Sequence, residues 1–105
     1  MIREADIFRA LADPTRRAVF ERLAGGEATV SELTADFAVS QPAISQHLGA
    51  LKRAGLVTAR QSGRHAYYRA APGGLGPLVD WIDRYQEFWH RRLDRLKTLL
   101  QDMDR

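Results

Sequence analysis

Apolar residues in the first half of the chain recur three and four positions apart, the spacing of one face of an α-helix. Ile7, Phe8 and Leu11 form one such group, and Leu33 and Phe37 form another. Glycines and short polar residues separate the groups. The pattern predicts four helices, which span about Arg3–Leu11, Pro14–Ala24, Val30–Phe37 and Gln41–Ala54.

Short polar side chains stand where three of these helices begin. Asp13 precedes Pro14, and aspartate is a favoured N-cap while proline is tolerated at the first helical position. Thr29 and Glu32 have the spacing of a capping box. Ser40 is suited to cap the fourth helix. A turn of about three residues therefore joins the third and fourth helices.

The second half of the chain begins with a predicted β-hairpin. Leu56–Arg60 and His65–Arg69 have strand composition, and Gln61–Arg64 has the composition of a turn. After the break at Ala71–Gly74, a long last helix is predicted from Leu75 to Asp102. Two short helices, a tight turn and a following hairpin predict a winged helix-turn-helix, a mainly α fold with a small β-hairpin wing.

The predicted fourth helix separates its residues into two faces. At 100° per residue, Ile44, Leu48 and Leu51 point inward, flanked by Gln41 and His47. The opposite face carries Pro42, Ser45, Gln46, Gly49 and Arg53. A helix face that is merely solvated usually carries several Glu and Lys, and this one has no acid. Short polar side chains and a glycine are suited to the floor of a DNA major groove.

Charge is unevenly distributed along the 105 residues, which fit one domain over 1–105. The segment Gln41–Val79 has five basic and no acidic residues, whereas the rest has eleven basic and thirteen acidic, giving the net +3. A solvated basic face is the alternative, but the motifs favour double-stranded DNA as the partner. The candidate DNA-binding residues are Ser40, Gln41, Pro42, Ser45, Gln46, His47, Gly49, Lys52, Arg53, Arg60, Arg64 and His65.

Three segments resemble the ArsR/SmtB (arsenical-resistance-repressor) family of winged-helix regulators. They are Leu11–Arg17, Ser40–Leu48 with Leu51–Val57, and the wing Arg60–Tyr68. The resemblance extends without a gap from about Ile7 to Arg69. It implies a homodimer, built on the first and last helices, that represses transcription by occupying an operator.

A metal-responsive repressor with a non-thiolate site is the alternative within that family. The chain has no cysteine, and Glu32-Leu33-Thr34 stands where metal-sensing relatives have a Glu-Leu-Cys motif. The last helix offers His90 near Glu87, and Asp80 near Asp83, pairs more typical of solvated helix charges than of metal ligands. We therefore expect a member of a non-metal-sensing branch, with no metal site and no cofactor.

The last helix carries an apolar seam with coiled-coil-like spacing and is too long, at about 42 Å, to be covered by one small domain. The seam therefore predicts dimerisation through residues 75–102, and the family resemblance implies that residues 1–12 also take part. The candidate interface residues are Ile7, Phe8, Leu78, Trp81, Ile82, Tyr85, Phe88, Trp89, Leu96 and Leu99. A monomeric core helix and an aromatic effector pocket are the alternatives.

No segment indicates an enzyme or a membrane protein. The chain has no Gly-x-Ser-x-Gly, His-Glu-x-x-His or phosphate-binding loop, so no catalytic residue is predicted. It has no apolar run long enough to span a bilayer, and its first residues lack the apolar core of a signal peptide. A cytoplasmic DNA-binding regulator is therefore expected, and a small-molecule effector is left open.

Overall fold

Five helices and three short strands follow one another in the computed structural model, which describes residues 1–103. The elements are α1 (Glu4–Ala12), α2 (Pro14–Ala24), β1 (Ala28–Thr29), α3 (Val30–Phe37), α4 (Gln41–Arg53), β2 (Val57–Ser62), β3 (His65–Ala70) and α5 (Gly76–Met103). The predicted order of helices, hairpin and last helix is confirmed, with ends that differ by one or two residues.

The predicted caps hold the helix starts in place. The Asp13 carboxylate accepts the backbone N–H of Arg16 at 2.9 Å. The Thr29 hydroxyl accepts the backbone N–H of Glu32 at 3.2 Å, and the Glu32 carboxylate accepts the backbone N–H of Thr29 at 3.1 Å. The Ser40 hydroxyl accepts a backbone N–H at the start of α4. These bonds satisfy backbone donors that a helix start leaves free.

The sheet has a third strand that the sequence analysis did not predict. β1 pairs antiparallel with β3, with Ala28 opposite Tyr68 and Thr29 opposite Tyr67, so that the strand order is β1-β3-β2. Two residues are too few to show the alternation by which a strand is recognised. The pairing ties the hairpin to the loop ahead of α3.

The hairpin turn is tighter than predicted. Ser62 pairs with His65, so the loop consists of Gly63 and Arg64 alone. Gly63 has φ 62° and Arg64 does not have a positive φ, as in a type II′ turn, whose twist suits the two strands. Arg64 therefore lies at the very tip of the wing.

One core unites α1 to α4 with the base of the hairpin. Its fully buried side chains include Ile7, Leu23, Leu33, Leu48 and Leu51. Ile7 was predicted to lie in a dimer interface, and this prediction is wrong because Ile7 is 0% exposed within the single chain. α1 directs Ile7 and Ala10 into the core and leaves Phe8, 45% exposed, on its outer side.

The long helix α5 extends beyond this core. The radius of gyration is 18.7 Å, against about 13 Å expected for a compact domain of this length. The overall extents are 66 × 31 × 20 Å. Leu78 packs against the core, but Gly76–Met103 has no fully buried residue.

Candidate nucleic-acid interface

The turn between α3 and α4 brings the two helices into a helix-turn-helix. Ala38 ends α3 in the left-handed conformation, with φ 52° and ψ 37°, and its N–H bonds back to the carbonyl of Thr34. This conformation reverses the chain within Ala38, Val39 and Ser40. Val39 packs against the core, which fixes the angle at which α4 leaves the turn.

The predicted division of α4 into two faces is confirmed in its buried half. Ile44, Leu48 and Leu51 are buried, and each is at most 2% exposed. Of the α4 residues predicted to bind DNA, those on the other side of the helix are Pro42, Ser45, Gln46, Gly49 and Arg53, whereas Gln41 and His47 flank the buried face. The exposed candidates are Gln41, Pro42, Ser45, Gln46, Lys52 and Arg53, while Gly49 and His47 are half-buried.

Gly49 leaves the outer face of α4 without side-chain bulk next to Arg53. A Cβ placed on Gly49 would lie 3.3 Å from Nη1 of Arg53, because the guanidinium folds back over the glycine. The glycine thus allows this arginine to lie along the helix surface.

His47 links α4 to α2. Its Nδ1 accepts a hydrogen bond at 3.3 Å from Nε of Arg16, whose backbone N–H is bound by Asp13. The hydrogen bond from the backbone N–H of Arg16 lowers the pKa of the Asp13 carboxyl, and the positive charge of Arg16 adds a smaller effect in the same direction. The sequence predicted His47 as a DNA-binding candidate, whereas the hydrogen bond from Nε of Arg16 ties its ring to α2.

The wing presents basic side chains at its tip. Arg64 and His65 are exposed there, and the His65 ring lies edge-on to Tyr67, with centroids 6.4 Å apart. The segment Gln41–Val79, which contains both α4 and the wing, carries no acidic residue. A polyanion approaching this side meets arginine, lysine and histidine without a carboxylate from the same segment.

Arg60 was predicted as a DNA-binding residue, and the structure pairs it with an acidic side chain, Glu27. Arg60 lies two residue pairs from the tip, where Nε and Nη2 contact the two carboxylate oxygens of Glu27 at 3.1 Å and 2.5 Å. Its guanidinium also lies over the Tyr67 ring, 4.7 Å from the centroid. The hydrogen bond from Arg60 lowers the pKa of Glu27 and raises that of Arg60. Glu27 was not predicted, since 33 residues separate it from Arg60.

The outer side of α5 is a long apolar surface. The predicted interface residues Ile82, Tyr85, Phe88, Trp89, Leu96 and Leu99 are 45–61% exposed, and Val79, Leu93, Leu100 and Met103 extend the same surface. Trp81 lies deeper, edge-on to Phe8 at 5.3 Å and tilted against Tyr85 at 4.9 Å between centroids. Contiguous apolar surfaces of this size mark interaction sites.

The carboxylates and the histidine of α5 do not form a cluster in the part of the chain that the structure describes. Residues 1–103 contain no group of three or more His, Asp or Glu placed to hold a metal ion. Glu87, which the sequence analysis considered as a metal ligand, instead accepts a hydrogen bond through Oε1 from Nη2 of Arg91 at 2.7 Å. Over the same residues, no helix combines the length and apolar character required to cross a bilayer.

Comparison with known proteins places this geometry among transcription regulators. A family model described as a helix-turn-helix domain matches residues 11–60. The chain is 50% identical over 93 residues to the HTH-type transcriptional regulator Rv2034 of Mycobacterium tuberculosis (strain ATCC 25618 / H37Rv), covering 89% of this chain and 84% of that protein.

Two further similarities agree with the first. The chain is 34% identical over 77 residues to the transcriptional repressor SdpR of Bacillus subtilis (strain 168), covering 73% of this chain and 86% of that protein. The solved structure of an ArsR-like transcriptional regulator from Rhodococcus sp. RHA1 superposes with a TM-score of 0.73 at 35% identity, covering 90% of each chain.

Proposed function

Because the chain belongs to the ArsR/SmtB family of winged helix-turn-helix transcriptional regulators, we propose that it is a homodimeric repressor that occupies an inverted-repeat operator. That it is a DNA-binding transcriptional regulator follows from the family. The dimer, the operator symmetry and the contacts described below are our proposals. We place the protein in the cytoplasm, where its DNA would be, in a regulatory and not a catalytic role.

The observation that carries the proposal is the composition of the exposed face of α4. Ser45 and Gln46 stand on it without an acidic neighbour in Gln41–Val79, and Gly49 removes bulk beside them. A glutamine can pair with adenine through two hydrogen bonds in the major groove. We propose that these side chains read base edges, and that Lys52 and Arg53 hold the phosphate backbone.

The wing supplies the second contact to the DNA. Arg64 stands at its tip on a two-residue turn that β3 and β1 anchor to the domain. An arginine in this position is suited to the backbone or to a narrow minor groove, where the negative potential is strongest. Arg60 contributes by holding the wing through Glu27, and its direct contact with DNA stays a prediction.

The exposed face of α5 supports the homodimer. In a single chain, the exposed apolar residues from Ile82 to Met103 face water. The molecule is 66 Å long, which is longer than a compact domain of this size. A second copy would cover these residues on both chains and set two α4 helices side by side. Two-fold symmetry then requires an operator with two half-sites, about 34–36 Å apart if they are one helical turn apart.

Selection from random duplexes tests this proposal. The full chain should enrich an imperfect inverted repeat, and a promoter carrying that repeat over its start site should be transcribed less in a purified system when the protein is added. Enrichment of a single asymmetric site, or of no sequence at all, would contradict the proposed dimer or the proposed reading of bases.

A further inference from the structure

A cleft of about 310 Å³ opens beside the recognition helix, between α1, the start of α2 and the end of α4. Ala10, Ala50 and Ala54 form its small-residue lining. Because these side chains end at Cβ, the three helices leave a space that longer side chains would fill. The volume is at the lower end of the range of small-molecule sites.

Three arginines line this cleft, one from each helix: Arg9 from α1, Arg16 from α2 and Arg53 from α4. The carboxylate in the cleft is that of Asp6, and it already has partners. Its Oδ2 accepts the backbone N–H of Arg3 at 3.0 Å, and its Oδ1 is 3.8 Å from Nη1 of Arg9. Three cations against one anion leave the cleft with a charge of +2.

The guanidinium groups keep donors for a ligand. Arg16 donates a hydrogen bond from Nε to His47. Its two terminal nitrogens have no carboxylate within 4.0 Å among residues 1–103. Arg53 likewise has no carboxylate within that distance in the described part of the chain. The planar fork of guanidinium donors matches the oxygens of a phosphate group, which can be bound in a bidentate manner.

We propose that this cleft is a binding site for a phosphate group. Two sources share this chemistry: a backbone phosphate of the bound DNA, and the phosphate of a small phosphorylated molecule. The first source rests on the proposed function, and the second does not. Neither Arg9 nor Arg16 was among the candidate DNA-binding residues.

A ligand here would act directly on the recognition helix. Arg53 lies over Gly49 on the exposed face of α4, and Arg16 holds His47 of the same helix. A phosphate held by both arginines ties the end of α4 to α2. If the phosphate is that of DNA, it fixes the pose of α4 in the groove. If it comes from a small molecule, it occupies cations at the edge of the DNA-reading face.

The first arm of the test uses inorganic phosphate and the full chain without DNA. Phosphate replaces chloride at constant ionic strength while the arginine side-chain N–H resonances are followed by NMR. The resonances of Arg16 and Arg53 should shift along one saturable binding curve. In Arg53→Gln the dissociation constant for phosphate, followed at Arg16, should rise by about tenfold or more, since a charge-assisted bond is lost. Arg17→Gln is the matched control, because Arg17 bonds to the Leu11 carbonyl and does not line the cleft.

The second arm uses a selected operator duplex and Arg16→Gln, because Arg16 lines the cleft and, unlike Arg53, is not among the residues proposed to hold the DNA backbone. If a DNA phosphate fills the cleft, Arg16→Gln should reduce the slope of log affinity against log salt by about one per subunit. If the site serves a small molecule, the slope should equal that of the unchanged protein while Arg16→Gln still weakens the binding of inorganic phosphate.

An unsaturable phosphate response together with an unchanged salt slope would overturn the proposal. Failure of the proposed function has a different signature. The unchanged protein would then bind no duplex in a sequence-dependent way, and the result of the phosphate arm would still stand.

Discussion

Trp89→Ala is expected to weaken the dimer strongly. Trp89 is 55% exposed in the single chain and lies in the middle of the apolar face of α5. A large aromatic side chain offers up to about 250 Å², so this exposure corresponds to about 130 Å² that a partner could cover. At about 25 cal/mol per Å², full cover contributes about 3 kcal/mol per copy.

Two-fold symmetry doubles this effect, because each dimer contains the residue twice. Full cover of both tryptophans would give about 6 kcal/mol, and half of that still corresponds to about a hundredfold increase in the dimer dissociation constant. Trp89 contacts Phe88 on its own helix, with ring centroids 5.3 Å apart, and does not belong to the buried core. The folded core formed by α1 to α4 and the hairpin should therefore survive the substitution.

Sedimentation equilibrium measures this effect directly. The unchanged chain should have twice its mass of 11.9 kDa at micromolar concentration, and Trp89→Ala should move toward the single-chain mass. Asp94→Ala is the control, because Asp94 is exposed about 140° away from Trp89 around the helix. Equal dissociation constants for Trp89→Ala and the unchanged chain would refute the proposed interface.

Three further predictions concern the turn, a cap and metal ions. Ala38→Gly should raise the free energy of unfolding by about 0.5–1 kcal/mol in urea titrations, since the left-handed φ of 52° strains a residue with a Cβ; a loss of stability would contradict this. Asp13 has a folded pKa below its ordinary 3.8, so its charge stabilises the fold above about pH 4, and this stabilisation should fade as the pH falls through the folded pKa. Asp13→Asn should keep a cap and lack this pH dependence, and equal pH profiles of unfolding for both proteins would show that the carboxylate is not responsible. Equilibrium dialysis against zinc, nickel and cobalt should show no tight site, because the chain lacks cysteine; a stoichiometric metal that releases DNA would establish the metal-responsive alternative.

The parts of the fold that depend on local sequence could be predicted. Asp13, Thr29 and Ser40 cap the helices that they were predicted to cap, because an N-cap bond joins residues three apart. Ile44 and Leu48 are buried as their helical spacing requires. The order of elements follows from these local signals.

Features that depend on distant contacts could not be predicted in the same way. Ile7 and Phe8 are both apolar and adjacent, and only the packing of α1 shows that Ile7 enters the core while Phe8 meets Trp81. The pairing of Arg60 with Glu27 requires the third strand, β1, which brings that loop beside the hairpin. Such pairings leave no periodic trace in a single sequence.

The arginine cleft belongs to the same group. Its three cations are contributed by three helices, and Arg53 alone was among the predicted DNA-binding residues. The alanines that open the cleft have ordinary helical spacing and give no separate signal. Only the crossing of α1, α2 and α4 brings them together.

A salt titration of Gln46→Ala and Arg64→Ala on a selected operator, and on operators with single base changes, tests the central claim most directly. Gln46 lies on the exposed face of α4, so Gln46→Ala should lose about 1–3 kcal/mol at one base position and relax the preference there. Arg64 lies at the wing tip, so Arg64→Ala should weaken binding to all sequences alike and reduce the salt slope by about one per subunit. An unchanged base preference in Gln46→Ala, together with an altered one in Arg64→Ala, would contradict the assignment of base reading to α4 and of backbone contact to the wing.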